Sequence, residues 1–281
     1  MAKVVAGNNV LWKMTMPFQY FFNHLQYNRK QLEQASHQRS PYADDIEKLL
    51  GDPIVKNGPF KGLKYPSYFS AGSALYPKIL GSYESELHPY FEKEIKQPYD
   101  EIYDIGCAEG YYAVGMAMKM PAAKIKAFDI NEEAGSFCRE MARINKVESQ
   151  VEVAAGFDKS LFKTFRPEAK IFFICDCEGY ERELFTEDIL PCLRHVTLLI
   201  ETHDFIIPET SSRIEKLLQE THDVKLIQSV DDLIKTKTYH YKEIEKENFR
   251  IRKLILQECR PSIMEWIYAT PKNSNPSPKQ T

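Results

Sequence analysis

From Tyr99 to Glu220 the chain alternates short apolar runs with longer amphipathic stretches, and no other feature restricts the fold as much. Glu101–Ile105, Lys124–Ile130, Gln150–Ala154, Ile171–Cys175 and Val196–Glu201 read as strands. Tyr111–Met118, Glu132–Ile144, Glu181–Leu190 and Thr210–Glu220 read as helices, and Ile263–Tyr268 as a last strand. Ile171-Phe-Phe-Ile-Cys175 has no polar break, as in strands covered on both faces. Strand and helix alternating at this spacing predict right-handed crossovers and an α/β, Rossmann-like, doubly wound and mainly parallel sheet. Such sheets bind ligands beyond the carboxyl ends of their strands, where strand order reverses. Functional residues are therefore expected in the loops at those ends.

Residues 1–97 differ from this pattern. They read as a mostly helical or irregular extension, with short helices at Leu25–Ser36, Tyr42–Leu50 and Ser85–Ile95. Between Gly51 and Pro77 prolines and glycines punctuate the chain and no strand pattern is sustained. The expected organisation is an extension over 1–97 that shapes a lid and an acceptor pocket, a ligand-binding domain over 98–270, and a disordered tail over 271–281. The tail is rich in Pro, Ser, Asn and Lys. Val4–Phe22 is interrupted by Asn8, Asn9, Lys13 and Pro17, so it reads as neither a signal peptide nor a membrane span. A formal charge of -3 gives no electrostatic reason to expect nucleic acid or an anionic membrane as partner. None of the six cysteines forms a C-x-x-C pair, and several lie in apolar runs, as expected of reduced, packed thiols in a cytoplasmic protein.

The first strand runs directly into Asp104-Ile-Gly106-Cys107-Ala108-Glu109-Gly110, and a helix follows at once. Gly106 permits a tight turn, and Gly110 permits close approach of a ligand and of the helix to the strand. Dinucleotide binders share a glycine-rich turn of this kind, but here the spacing is G-x-x-x-G and the loop carries two carboxylates, Asp104 and Glu109. A pyrophosphate at this helix N-terminus would face both. Two like charges ~5 Å apart repel by ~3 kcal/mol at an effective dielectric near 20. The loop is therefore expected to take a cationic, phosphate-free nucleoside, S-adenosylmethionine rather than NAD. Asp129 ends the second strand, where it either accepts both ribose hydroxyl protons or caps the following helix, with Ile130 beside it. After the third strand, Phe157 is a candidate to stack on adenine. Asp158 either accepts from the adenine amine or opens the next turn.

The run Asp104–Gly110 followed by Asp129 resembles the first two motifs of class I methyltransferases. Cys175-Asp176-Cys177-Glu178-Gly179-Tyr180-Glu181 and Leu199-Ile-Glu201-Thr-His203 are similar to the fourth- and fifth-strand motifs of FkbM-type methyltransferases, Asp-x-Glu-Gly-x-Glu and Glu-x-His. The similarity spans about Tyr83 to Tyr268. One departure is Cys175, where that family commonly has lysine. The resemblance implies methyl transfer from S-adenosylmethionine, usually to an oxygen of a sugar or another small hydroxylated metabolite. It also makes Tyr83 and Glu84 candidate lid contacts to the donor, the alternative being a helix start capped by Ser82.

Methyl transfer to an alcohol needs a base or a metal near the methyl group. Asp176, Glu178, Glu201, His203 and Asp204 stand at the ends of strands four and five. His203 is the first candidate for the base, because its ordinary pKa lies nearest neutrality. Asp176 or Glu178 would orient it or contact the donor's amino group. A divalent cation on Asp176, Glu178 and Asp204 is the alternative, since hard ions take carboxylate oxygens. Cys175 and Cys177 flank Asp176 on the opposite face and read as packing residues. Gly58–Gly62 with Tyr65, Tyr68 and Tyr76 is a candidate acceptor pocket. Two other functions stay open: an RNA or protein methyltransferase, disfavoured by the acidic balance, and a non-catalytic donor-binding partner subunit.

Overall fold

Continuous burial along the central apolar runs shows a sheet covered on both faces. The computed structural model describes residues 40–71 and 73–272. The helix expected at Leu25–Ser36 lies outside them, as does the tail from Asn273 onward. Seven strands form one sheet: β1 (Glu101–Ile105), β2 (Lys124–Asp129), β3 (Val151–Ala155), β4 (Ile171–Cys175), β5 (Val196–Thr202), β6 (His222–Gln228) and β7 (Glu265–Pro271). Their order is β3-β2-β1-β4-β5-β7-β6. The first five run parallel, and β7 lies antiparallel between β5 and β6. The expected doubly wound, mainly parallel sheet is therefore present, and strand order reverses between β1 and β4.

Side chains alternate across this sheet with period two. Tyr103, Ile105, Phe173, Cys175, Leu198 and Ile200 enter a core that also holds Phe162, Phe165 and Phe185. On the other face Phe172 packs against Phe91 and Tyr99, and Trp266 against Tyr112. Helices α1 (Ala43–Leu50), α2 (Leu75–Leu80) and α3 (His88–Glu94) precede β1. Then α4 (Tyr111–Lys119) follows β1 and α5 (Glu132–Ile144) follows β2. After β4 come α6 (Glu181–Leu184) and α7 (Leu190–Leu193), and after β5 comes α8 (Thr210–Leu218). Between β6 and β7 lie α9 (Asp232–Thr238) and α10 (Phe249–Leu256).

Several elements depart from expectation. The helix read over Glu181–Leu190 is broken, because Phe185 and Thr186 adopt extended backbone and Phe185 is fully buried in the aromatic core. Leu75–Leu80 is helical inside a stretch that reads as irregular. Pro77 sits in its first turn, where an N–H has no intrahelical partner, and Gly81 at +80° closes it in the left-handed region. The edge strand β6 and both helices after it are additional to the sequence pattern. β7 starts two residues later than expected and includes Pro271, which pairs with His222 where a disordered tail is expected. Residues 45–97 fall within one compact unit with the sheet, spanning Asp45–Thr281; of the other unit, Met1–Asp44, only residues 40–44 are described. No described helix is long and apolar enough to cross a membrane.

Candidate active site

The loop after β1 is held from both sides. Its Gly106 and Cys107 N–H groups donate to the Phe128 carbonyl of β2, at 2.8 and 3.0 Å, while the Asp176 N–H after β4 donates to Ile105 at 2.8 Å. Gly106 is at φ +79°, and a Cβ there would lie 1.6 Å from the Asp176 carbonyl oxygen, so the ends of β1 and β4 approach as only glycine permits. At Gly110 an added Cβ would meet Cys138 and Val114, which gives this glycine a helix-packing role. Ala108, at φ +47°, donates its N–H to Asp129 Oδ2 at 2.8 Å, and the other Asp129 oxygen accepts from Asn131 N–H at 2.8 Å. The N-cap of α5 is Asn131, whose side chain accepts from Glu133 and Ala134. Asp129 is thus left half-buried at the strand end and not spent on capping.

Asp104 lies behind this loop, buried, and its Oδ2 has no hydrogen-bond partner. Burial pushes its carboxyl up to about 7, against the pull of the Ala113 backbone N–H and with Asp129 adding to the rise. Glu109 corrects the electrostatic argument made from sequence. It is buried against the Lys78 ammonium, 2.6 Å away, and also accepts from Tyr65 Oη, Ser70 Oγ and the Ala71 N–H. The Lys78 ammonium in turn lies 5.0 Å from the centre of the Tyr83 ring and 5.5 Å from that of Tyr111. Glu109 is therefore neutralised and ties residues 65–78 to the loop. Asp104 has no such partner on its Oδ2.

Other expected donor contacts are redistributed. The Phe157 ring packs against Phe162, Phe128 and Phe173 at 5.0, 5.2 and 5.5 Å, so it belongs to the aromatic core. Asp158 is exposed and opens the following turn by accepting from Ser160 N–H. That hydrogen bonding lowers its carboxyl pKa. Ile130, by contrast, is 80% exposed beside Asp129. Glu84 is buried, accepting from Arg260 and the Tyr112 hydroxyl, and burial carries its carboxyl to about 8. It anchors Arg260, and Tyr83 lies beside it, its ring 5.0 Å from the Lys78 ammonium. Ser82 caps nothing, since its hydroxyl reaches back toward Pro77. Phe60 is buried against Phe91 and Tyr111, Tyr65 bonds Glu109, and Tyr68 bonds the Gly51 carbonyl. Phe60 and Tyr65 are thus buried packing groups, and Tyr68 lies against the Tyr76 ring at 6.3 Å.

At the ends of β4 and β5 the expected residues do converge. His203, 3% exposed, places Nδ1 2.8 Å from Glu181 Oε1 and Nε2 3.5 Å from both Asp176 Oδ1 and Glu178 Oε2. Glu201 Oε2 is 3.8 Å from the same nitrogen. Burial would lower the His203 pKa, but Glu181, then Glu201 and Glu178, outweigh it and raise it to about 9. Burial, Glu201 and Glu178 push the Asp176 carboxyl well up. Against its own burial, Glu181 is held low by the His203 charge and hydrogen bond. Asp204 is not in this group; it accepts from Ser211 N–H at 3.0 Å at the start of α8. Arg260 was not legible as a site residue, yet it bridges Glu201, Glu84 and Glu258. Cys175 and Cys177 are free thiols, turned toward the core as expected. A separate cavity of about 300 Å³ is lined by Thr202, Asp204, Phe205, Ser211, Ile263 and Met264 among others, and by none of Asp176, Glu178 and His203.

No family model matches the chain, and no curated protein matches it. Solved structures do. An O-methyltransferase from Bacillus cereus in complex with SAH overlaps 90% of this chain and 91% of its own, at 12% identity and a TM-score of 0.46. A putative O-methyltransferase from Klebsiella pneumoniae overlaps 86% and 94%, at 11% identity and 0.45. The O-methyltransferase TomG from Streptomyces achromogenes, in complex with SAM, overlaps 68% and 80%, at 12% identity and 0.44.

Proposed function

We propose that this chain is a class I methyltransferase that moves a methyl group from S-adenosylmethionine to an oxygen of a sugar, glycan or other small hydroxylated acceptor. One observation carries the reading: a buried aspartate with an unpaired oxygen, Asp104, and a half-buried strand-end aspartate, Asp129, flank a glycine turn where strand order reverses. A nucleoside that bears an ammonium and no phosphate fits this pair of carboxylates. Asp104 Oδ2 accepts from the ammonium, and Asp129 accepts from the ribose hydroxyls. Ile130, exposed beside Asp129, offers an apolar face to the adenine. The bound donor supplies a methyl group on a positively charged sulfur.

The protein's own residues align the acceptor and take up its proton. Asp176 and Glu178 stand at the end of β4 with His203 between them and the core. His203, fixed by Glu181 through Nδ1, faces the two carboxylates with Nε2, and the carboxylates receive the hydroxyl proton. The motifs after β4 and β5 support an oxygen acceptor through their similarity to FkbM-type enzymes.

A methyl-labelled donor incubated with the purified chain and a panel of sugars, glycolipids and hydroxylated metabolites tests this. Label is expected on an acceptor oxygen, with Asp176→Asn slowing transfer at least 100-fold. Donor binding without transfer to any acceptor, including RNA and protein, would instead make the chain a donor-binding partner subunit.

A further inference from the structure

We propose that Asp176, Glu178 and His203 bind one divalent cation, with manganese as the best-matched ion. Each residue offers one ligand atom, and the three atoms lie within 4.8 Å of one another. Ligands about 2.1 Å from a common octahedral ion stand about 3 Å apart when adjacent. The observed 3.5 Å separations from His203 Nε2 to the two carboxylate oxygens therefore close by small side-chain adjustments.

Two further observations point into the same space. Asp176 Oδ1 is a buried oxygen with no hydrogen-bond partner, and it is the oxygen that faces the imidazole. His203 is almost wholly buried, with Nδ1 bound to Glu181 and Nε2 aimed at the two carboxylates. A histidine whose second nitrogen donates to a carboxylate, while the first faces open ligand space, is how metal-ligating imidazoles are generally held. Glu181 is fixed for that task, because its Oε1 also accepts from the Gly179 N–H at 3.1 Å. Glu178, at φ +54°, and Gly179, at +99°, turn the chain so that Asp176 and Glu178 approach from one side. Charge agrees as well: Asp176, Glu178 and Glu181 surround one imidazole, whereas Arg260 is already committed to Glu201, Glu84 and Glu258.

One nitrogen and two carboxylate oxygens hold more nitrogen than the all-oxygen sets typical of magnesium and fewer imidazoles or thiolates than zinc sites usually carry, which leaves manganese as the best match. Three protein ligands leave coordination positions open on the side where Asp176 and Glu178 are partly exposed. An acceptor hydroxyl bound there would lose its proton more readily. Only this last role rests on the methyl-transfer reading; the binding of the ion does not.

Electron paramagnetic resonance of the full chain titrated with manganese chloride tests the site by counting free and bound ion. One bound ion per chain is expected. Glu178→Gln, on a partly exposed side chain whose loss leaves the fold intact, should weaken binding at least tenfold. Glu181→Gln should weaken it on the order of 10- to 100-fold, while Asp204→Asn should leave it unchanged. No bound manganese, or binding indifferent to Glu178→Gln, would overturn the proposal. Bound manganese without donor binding would keep the site and remove the methyltransferase reading; transfer that persists in EDTA, with no manganese bound, would do the reverse.

Discussion

Asp104 sets the pH behaviour of the loop after β1. Its folded pKa, about 7, is raised above the ordinary carboxylate value mainly by burial. The stability linked to this group is therefore complete below about pH 4 and is lost as pH rises through 7. A bound ammonium favours the ionised form, so donor affinity should increase as pH rises from 6 toward 7.5, by no more than about tenfold per unit. Calorimetry at several pH values should show that slope in the native chain and a flatter, weaker profile in Asp104→Asn. Equal slopes would remove Asp104 from the donor site. The same substitution should raise the melting temperature of the donor-free protein at pH 8 relative to pH 5, since it removes a carboxylate that is costly to ionise. Lys78 and Glu109 behave differently, being buried and mutually paired. Replacing Glu109 with Gln strands a buried ammonium and should cost about 3–5 kcal/mol in urea unfolding. A loss below 1 kcal/mol would mean that the pair is not buried as described.

Among the elements, the β1–α4 turn is the most constrained. Gly106→Ala places a methyl group 1.6 Å from the Asp176 carbonyl, in left-handed backbone, so the ends of β1 and β4 must separate. A melting point lowered by several degrees and loss of donor binding are expected; a variant with native stability and affinity would show that the two loops need not touch. The central strands β4 and β5 were legible because both faces are covered, so each reads as a largely apolar run, and Ile171–Cys175 matched residue for residue. The edge strand β6 was not legible, because its polar residues face solvent and the run His222–Gln228 carries little apolar signal. The break in the helix after β4 was equally hidden. Nothing local to Phe185 says that its ring enters the core, which is decided by Phe162 and Phe173 from other segments.

At the scale of the whole molecule, the site assembles from partners far apart in sequence. Asp176, Glu178 and His203 were legible as a group because each closes a strand on the same end of a parallel sheet. Their electrostatics were not, because the upward shift of His203 depends on Glu181, which sits on α6, and on the packing that buries both. The pairing of Glu109 with Lys78 spans 31 residues and that of Arg260 with Glu201 spans 59, and no spacing rule predicts either. Both belong to segments outside the strand–helix alternation, one before β1 and one before β7. These long-range ion pairs hold the extension and the β7 approach around the carboxyl ends of β1, β4 and β5.

That geometry makes one claim central: a cationic nucleoside, and no phosphate-bearing coenzyme, is held between Asp104 and Asp129. Isothermal titration of the native chain with S-adenosylmethionine and, separately, with NAD measures it directly. S-adenosylmethionine should bind at one site, and Asp129→Ala should weaken it at least tenfold while NAD gives no heat. Tight NAD binding with no response to S-adenosylmethionine, or donor affinity unchanged by Asp129→Ala, would contradict it.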